Sequence, residues 1–508
     1  MKNIKLIADY ILEGLKRGRK DIEEMKKEAA QLYSYRVPTN AEIIATKKIP
    51  TKFLPLLRKK PIRTLSGITT IAVMVKPQYS CKHSCIYCAY TGKAPKSYTG
   101  EEPAALRARG SNFLPHKQVK ARLAQYKATG HPTDKCEVVV MGGTFLEMPF
   151  EYKHNFIKSI YETMNGKKAK TLEEAKKQNE NAKNRVIGLT IETRPDVCGK
   201  KEINEMLEYG ATRVELGVQH PDNKIYKRIN RGHTVKDVVE ATALLKDSAF
   251  KVLYHIMPGL PGSNKRKDIE MIKKIFQDQR FRPDMLKIYP TLCIDGTILY
   301  DMWKKGEYQP YTTDEAADVI SEMYRYIPPY VRVMRIQRDI PANMIKEGVK
   351  KSNLRELVER KIIERGIKTR EIRNREIGIK RKTIENMELK ERKYKASKGT
   401  EFFISFENDE VISGFVRLRL PNGYIFRDEI DKDTALIREL HVYGEEKEIG
   451  EKGEVQHTGI GKMLMNYAEE KAREEGYKKI IVISGVGARE YYYKLGYKKE
   501  GPYVSKKI

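Results

Sequence analysis

The chain has 508 residues, with 98 Lys and Arg against 68 Asp and Glu, a net charge of +30 and a pI near 9.5. Such a length holds several domains with real cores, and it contains no apolar run of the roughly eighteen residues that a transmembrane helix needs. The charge calls for a polyanionic partner, nucleic acid first. A basic surface that serves only solubility is the bland alternative, and an anionic membrane is disfavoured because the basic residues are spread over many segments. Six cysteines, three of them clustered, do not make a disulfide scaffold and suit a reduced, cytoplasmic compartment.

Residues 1 to 68 read as a basic N-terminal region. Ile4, Ile7, Ile11 and Leu15 recur at helical spacing, and the opening stretch lacks the unbroken apolar core of a signal peptide. The region ends in Arg58-Lys59-Lys60-Pro61-Ile62-Arg63, where proline breaks any helix; the run suits either a phosphate-contacting arm or a solvated linker.

Residues 69 to 330 alternate β-rich runs with helical patterns. Six strands are predicted, near residues 69–75, 137–141, 186–192, 213–218, 251–256 and 285–289, which together imply a parallel sheet curled into a partial α/β barrel. The first strand runs into Cys81-Lys82-His83-Ser84-Cys85-Ile86-Tyr87-Cys88. Three thiolates at this spacing can hold three irons of a 4Fe–4S cluster and leave the fourth iron open, as in radical S-adenosylmethionine (SAM) enzymes. A zinc site would want a fourth ligand. Gly142 and Gly143 after the second strand, and Glu192, Thr193 and Arg194 after the third, fall at the strand C-terminal ends, where such barrels place their chemistry. Cys136, Cys198 and Cys293 have no ligand spacing and read as structural.

Residues 331 to 395 form a basic connector, with roughly twice as many basic as acidic side chains. From 396 to 508 a smaller α/β unit follows: a hairpin over 401–406 and 411–418, a strand over 435–442, then Gln456-His457-Thr458-Gly459-Ile460-Gly461 opening a helix from Lys462. Glycines there let backbone N–H groups approach a pyrophosphate at a helix N-terminus. With the strand 479–483 and the tail Tyr491-Tyr492-Tyr493-Lys494-Leu495-Gly496-Tyr497, the order is similar to the GNAT acetyltransferases. A generic nucleotide loop is the alternative.

A radical SAM barrel joined to a GNAT unit resembles the catalytic subunit family of the Elongator complex and its stand-alone archaeal and bacterial relatives. The resemblance is carried by Val75-Lys76-Pro77, Ser97-Tyr98-Thr99-Gly100-Glu101-Glu102-Pro103, Met141-Gly142-Gly143-Thr144-Phe145, Glu192-Thr193-Arg194-Pro195-Asp196, Glu215-Leu216-Gly217-Val218-Gln219, Met257-Pro258-Gly259-Leu260-Pro261-Gly262, Arg438-Glu439-Leu440-His441-Val442 and Ile483-Ser484-Gly485-Val486-Gly487. Eukaryotic members space the first two cysteines more widely; the compact spacing here is the usual one for radical SAM enzymes.

The resemblance implies an enzyme that forms 5-carboxymethyluridine at tRNA position 34, with SAM supplying the radical and acetyl-coenzyme A (acetyl-CoA) the two-carbon unit. It implies Cys81, Cys85 and Cys88 as cluster ligands, and Gly142, Gly143 and Thr144 beside SAM with Glu192 and Arg194 nearby. Lys135 is implied at the acetyl-CoA thioester. Glu439, Leu440, His441, Val442, Gln456, Gly459, Ile460, Gly461, Lys462 and Tyr492 are implied as coenzyme contacts. For Glu192 and Arg194 a structural ion pair is the competing reading. Implied partners are tRNA, through its anticodon stem-loop, and an electron donor; a homo-oligomer stays open and no membrane is expected. The rival functions are a protein lysine acetyltransferase working through the GNAT unit alone and a tRNA-binding scaffold with a structural cluster.

Overall fold

The computed structural model describes residues 2–64, 66–78, 81–380, 386–443 and 459–508. In chain order its strands are β1 (Thr69–Met74), β2 (Lys135–Met141), β3 (Arg185–Thr193), β4 (Arg213–Gln219), β5 (Lys251–Ile256), β6 (Met285–Ile288), β7 (Cys293–Ile294), β8 (Arg332–Ile336), β9 (Ile345–Glu347), β10 (Glu388–Ala396), β11 (Gly399–Glu407), β12 (Ile412–Leu420), β13 (Thr434–Val442), β14 (Lys479–Val482), β15 (Lys498–Glu500) and β16 (Tyr503–Lys507).

The N-terminal unit is folded on its own core. Ile7, Ile11 and Leu15 of the helix Lys2–Lys16 pack with Ile22, Met25 and Ala29 of the helix Ile22–Leu32. Its amphipathic spacing is what buries them.

Seven strands in the order β1-β2-β3-β4-β5-β6-β8 make the barrel sheet, and every neighbouring pair is parallel. This is one strand more than the six read from the sequence. The seventh, β8, lies in the segment read as connector. Its string Arg332-Val333-Met334-Arg335-Ile336 is too charged to announce itself as a strand, because Arg332 turns to Tyr443 and Glu376 and Arg335 to Asp339 rather than into an apolar core.

The second sheet runs β10-β11-β12-β13-β14-β16-β15. Only β13 and β14 pair in parallel within it. Its two faces follow the period of two along each strand. Phe402, Ile404, Val416, Leu418, Ile437, Ile480 and Val482 pack on the helix Ile460–Glu474. The alternate residues Phe403, Phe415, Leu436, Ile481 and Ile483 belong to the same core as the barrel.

The docking face is also the N-terminal mouth of the barrel. Arg438 of β13 donates to the Phe250 carbonyl just ahead of β5 (2.8 Å) and to Asp284 just ahead of β6 (2.7 and 2.6 Å). Arg419 of β12 bonds Asp247 (2.6 Å). The loop after β14 meets β3 so closely that a Cβ on Gly485 would stand 2.0 Å from the Ile187 carbonyl, so only glycine fits. Among the described residues no helix is long and apolar enough to cross a membrane.

Candidate active site

Two cavities flank the barrel, one at each end of its strands. The first, of about 150 Å³, lies at the C-terminal ends and is lined by Cys81, Cys85, Cys88, Gly143, Thr144, Glu192, Arg194, Gln219, His255 and Lys287 among others. Parallel strands deliver these residues together because each β-strand ends on the same side. Gly142 holds the turn behind this wall: its φ is +145°, and a Cβ would stand 2.1 Å from Val75 Cγ2.

The three cysteines line this cavity, and all six cysteines of the chain are free thiols. Their loop is tied down by Lys96 Nζ, which donates to the carbonyls of Cys81 (2.8 Å) and His83 (3.0 Å), and by the Ile86 N–H on the Ile229 carbonyl. Arg231 Nη1 donates to Cys85 Sγ at 3.5 Å. Burial pushes the Cys88 thiol up to about 11, and the neighbouring thiols add to it; a bound iron would have to compete with that proton. Among the described residues, Glu192, Glu215 and His255 are the set of three potential ligand atoms within 4.8 Å of one another, and the cysteines are not. The three thiols are therefore not gathered about a single ion. Thr144 Oγ1, Arg194 Nη1 and Gln219 Oε1 are buried on the same wall without a hydrogen-bond partner among the described residues, so a polar ligand such as SAM has donors and acceptors to meet.

Arg194 is held by Asp196 (3.0 Å through Nε and through Nη2) and by the Arg231 carbonyl (2.7 Å). Glu192 accepts from Tyr98 Oη at 2.8 Å. Glu192 and Arg194 are thus not paired with each other, and both present to the cavity.

The second cavity, of about 660 Å³, opens at the strand N-terminal ends, between barrel and second sheet. Lys135, Arg185, Lys251, Arg332 and Arg373 give it a basic wall, and Glu439, Leu440, His441, Tyr491 and Tyr492 form the facing one. Beyond Ile437, β13 pairs with β12 alone among the described strands, which turns its other edge toward this space. Burial holds the Tyr492 phenol above its ordinary range. Burial likewise holds His441 down to about 4, against the opposing pull of Glu439, so its imidazole is neutral at pH 7. Burial favours the protonated form of Glu439, but Lys251 and Arg417 outweigh it and keep the carboxylate below its usual range.

Gly459 caps the helix Ile460–Glu474 with φ +83°, and Ile460 is buried while Lys462 is exposed. Gly461 faces Tyr491, whose Oη would lie 2.7 Å from a Cβ placed there. Val442 borders the same corner, 3.7 Å from that position. Gln456, with His457 and Thr458, lies outside the described residues.

Lys135 and the cysteines therefore sit at opposite ends of the barrel. Lys135 opens β2 and Gly142 closes it, roughly 20 Å apart at strand rise. What connects them is a ladder of side chains inside the barrel. Arg213 Nη1 reaches Glu137 (2.5 Å) and its Nη2 reaches Glu215 (3.6 Å). Glu215 meets His255 Nε2 (2.7 Å) and the Lys287 ammonium, and Lys287 stands 4.0 Å from Glu192. Burial favours protonation of Glu215, but Lys287, His255 and Arg213 hold it ionised. Sequence reasoning assigned no role to Arg213, Glu215, His255 or Lys287. The signal was there: Arg213-x-Glu215-x-Gly217-x-Gln219 and Lys251-x-Leu253-x-His255 place polar groups on one strand face, which in a parallel barrel is the interior.

Compared with known proteins, residues 1–65 match the family model described as the ELP3 N-terminal domain. Residues 75–275 match the Radical SAM superfamily and 283–364 its C-terminal domain. Residues 369–497 match the acetyltransferase (GNAT) family. The tRNA uridine(34) acetyltransferase of Methanocaldococcus infernus is 48% identical over 533 residues, covering 100% of this chain and 99% of that one. The human Elongator complex protein 3 is 40% identical over 528 residues, covering 99% and 96%. This chain belongs to the Elongator complex protein 3 family. A solved structure, the archaeal M. infernus Elp3 with an N-terminal deletion (1–46), superposes with a TM-score of 0.78 at 48% identity and covers 88% of this chain and 100% of that one. The radical SAM match implies an iron–sulfur cluster and SAM, and the GNAT match implies acetyl-CoA.

Proposed function

We propose that this enzyme builds a carboxymethyl group on carbon 5 of the wobble uridine of tRNA, with acetyl-CoA as the carbon source. One observation carries the reading: a thiol-lined cavity and a basic, acetyltransferase-type cavity occupy the two ends of one barrel and share the wall made by Arg213 and Glu215. A GNAT-only protein acetylase has no use for that connection. Relatives named tRNA uridine(34) acetyltransferase match along the whole chain, and the net charge of +30 suits a tRNA ligand.

Cys81, Cys85 and Cys88 would hold a 4Fe–4S cluster, with SAM against Gly143, Thr144, Glu192 and Arg194. When bound, these groups supply a carbon radical able to take hydrogen from the acetyl methyl, which is what a new carbon–carbon bond on uracil requires. The protein supplies position and exclusion of water. Lys135, Arg185, Lys251 and Arg373 face the larger cavity with positive charge for the coenzyme phosphates, and Gly459 and Gly461 leave backbone N–H groups open at a helix N-terminus. The edge of β13 from Glu439 to Val442 would take the pantetheine amides, with Tyr492 beside the pantetheine arm before its thioester end enters the barrel. Lys135, on the wall of the larger cavity, would guide the thioester end into the barrel.

By this reading the basic unit 1–68 and the connector 331–395 contact tRNA, 69–330 carries the radical site and 396–508 the coenzyme. β8 and β10, both within the connector range, also complete the two sheets. The test is mass spectrometry of the wobble nucleoside after anaerobic incubation with tRNA, SAM and acetyl-CoA. Carboxymethyluridine with the wild type and none with Cys85→Ser supports the reading; lysine acetylation that survives Cys85→Ser, with unmodified tRNA, overturns it.

A further inference from the structure

We propose that His255, oriented by Glu215, is the general base that hydrolyses the thioester once the two-carbon unit is attached to the uridine. The inference rests on the function proposed above and assigns a residue to its last step.

The location follows from connectivity. After attachment, the thioester carbonyl is separated from uracil carbon 5 by a single methylene. It must therefore lie with the base, in the cysteine-lined cavity, and not beside His441 or Tyr492 at the other mouth of the barrel. The water that attacks it needs a base within hydrogen-bond reach in that cavity.

The groups on that wall are mostly committed. Glu102 accepts from the Thr99 and Gly100 N–H groups at 2.8 and 3.0 Å. Asp339 is paired with Arg335. Glu192 accepts from Tyr98 Oη. Lys287 is an ammonium bonded to Glu215. His83 faces Asp196 at 3.3 Å, beside the cysteine loop. His255 differs. Its Nε2 meets Glu215 Oε2 at 2.7 Å, and its ring is fixed edge-on to Tyr289 (centroids 5.4 Å apart, planes at 74°). Its Nδ1 makes no hydrogen bond among the described residues, and its side chain keeps 16% exposure beside a Glu215 that has 1%.

A buried carboxylate that accepts from Nε2–H leaves the lone pair on Nδ1, the arrangement of base and orienting acid found wherever an imidazole activates a nucleophile. Lys287, on the same Oε2 that meets the imidazole, and Arg213, on Oε1, keep Glu215 ionised. They also account for the gathering of Glu192, Glu215 and His255: the cation among these ligands is the Lys287 ammonium, so no metal ion is required. The step balances. Water adds to the thioester carbon while its proton passes to Nδ1. The carbon–sulfur bond breaks, the proton on Nδ1 goes on to the departing thiolate, and the new carboxylic acid loses its remaining proton to solvent, leaving a carboxylate and free coenzyme A.

Two readouts on the full-length protein test this. In the anaerobic reaction with SAM, tRNA-dependent release of coenzyme A should fall about 100-fold or more in His255→Gln, with tRNA and acetyl-CoA dissociation constants within about twofold of wild type. Glu215→Gln should also slow release and alter its pH profile. In the complete anaerobic reaction, His255→Gln should form 5′-deoxyadenosine as the wild type does, while the wobble nucleoside retains a coenzyme A thioester that hydroxylamine converts to a hydroxamate. Wild-type release by His255→Gln would overturn the assignment while leaving the function intact. A wild type that makes no carboxymethyluridine overturns the function and the assignment together.

Discussion

Arg438 of β13 and Asp284, one residue ahead of β6, share two hydrogen bonds of 2.7 and 2.6 Å with both side chains fully buried. This pair locks the coenzyme-side sheet onto the barrel, and Lys246, Glu401, Arg417 and Arg419 surround it. Arg438→Met leaves Asp284 and Glu401 short of positive charge, and losing one partner of a buried pair costs about 3–5 kcal/mol. The expected outcome is a lower midpoint in urea, with the second sheet melting before the barrel when followed by hydrogen exchange.

His441 gives the enzyme an acid limit. Its folded-state value is held near 4 by burial, with Glu439 opposing, against an ordinary value of about 6.5. Between those two values the unfolded chain binds the proton and the folded chain does not. Stability is therefore full above about pH 6.5 and declines as pH falls toward 4. Thermal midpoints measured across this window should fall with acid in the wild type and less steeply in His441→Gln.

Arg231 tunes the thiol site. Its guanidinium donates to Cys85 Sγ, and a hydrogen bond to a cluster sulfur, like nearby positive charge, favours the reduced state. Arg231→Met should lower the midpoint potential of the reconstituted cluster, read by a redox titration followed by electron paramagnetic resonance. An unchanged potential would show that Cys85 does not ligate the cluster.

Gly142→Ala should damage the SAM wall without touching the cysteines. The position combines φ +145° with a Cβ site 2.1 Å from Val75 Cγ2, a strain of about 1–3 kcal/mol. Weaker SAM binding by calorimetry is expected, with acetyl-CoA binding at the far end of the barrel unchanged.

Binding of tRNA should weaken steeply with salt, because the net charge of +30 acts through phosphate neutralisation and counterion release. A plot of log Kd against log salt should be linear. A flat plot would show that the basic surface is not the tRNA surface.

The chemistry-bearing residue types and their local geometry are legible from the chain order alone. Cysteine spacing within one loop, glycines at a strand end and a helix start, and the alternation that separates the two faces of β11 to β14 are all set by neighbours a few residues apart, and local rules read them. Six strands escaped. β7, β9 and β15 are only two or three residues long and β16 carries two lysines, while β8 and the edge strand β10 are charged and so break the apolar pattern by which strands are recognised. Tertiary structure alone decided which end of the barrel each group occupies. Lys135 and Gly142 are neighbours in sequence, yet an extended strand carries them to opposite mouths. Conversely, Glu215, His255 and Lys287 come from three strands far apart in the chain, and only the parallel register of β4, β5 and β6 brings them into contact. The physical reason is that strand pairing fixes distances between residues that share no local sequence, and the connection between the two cavities is made entirely of such pairs.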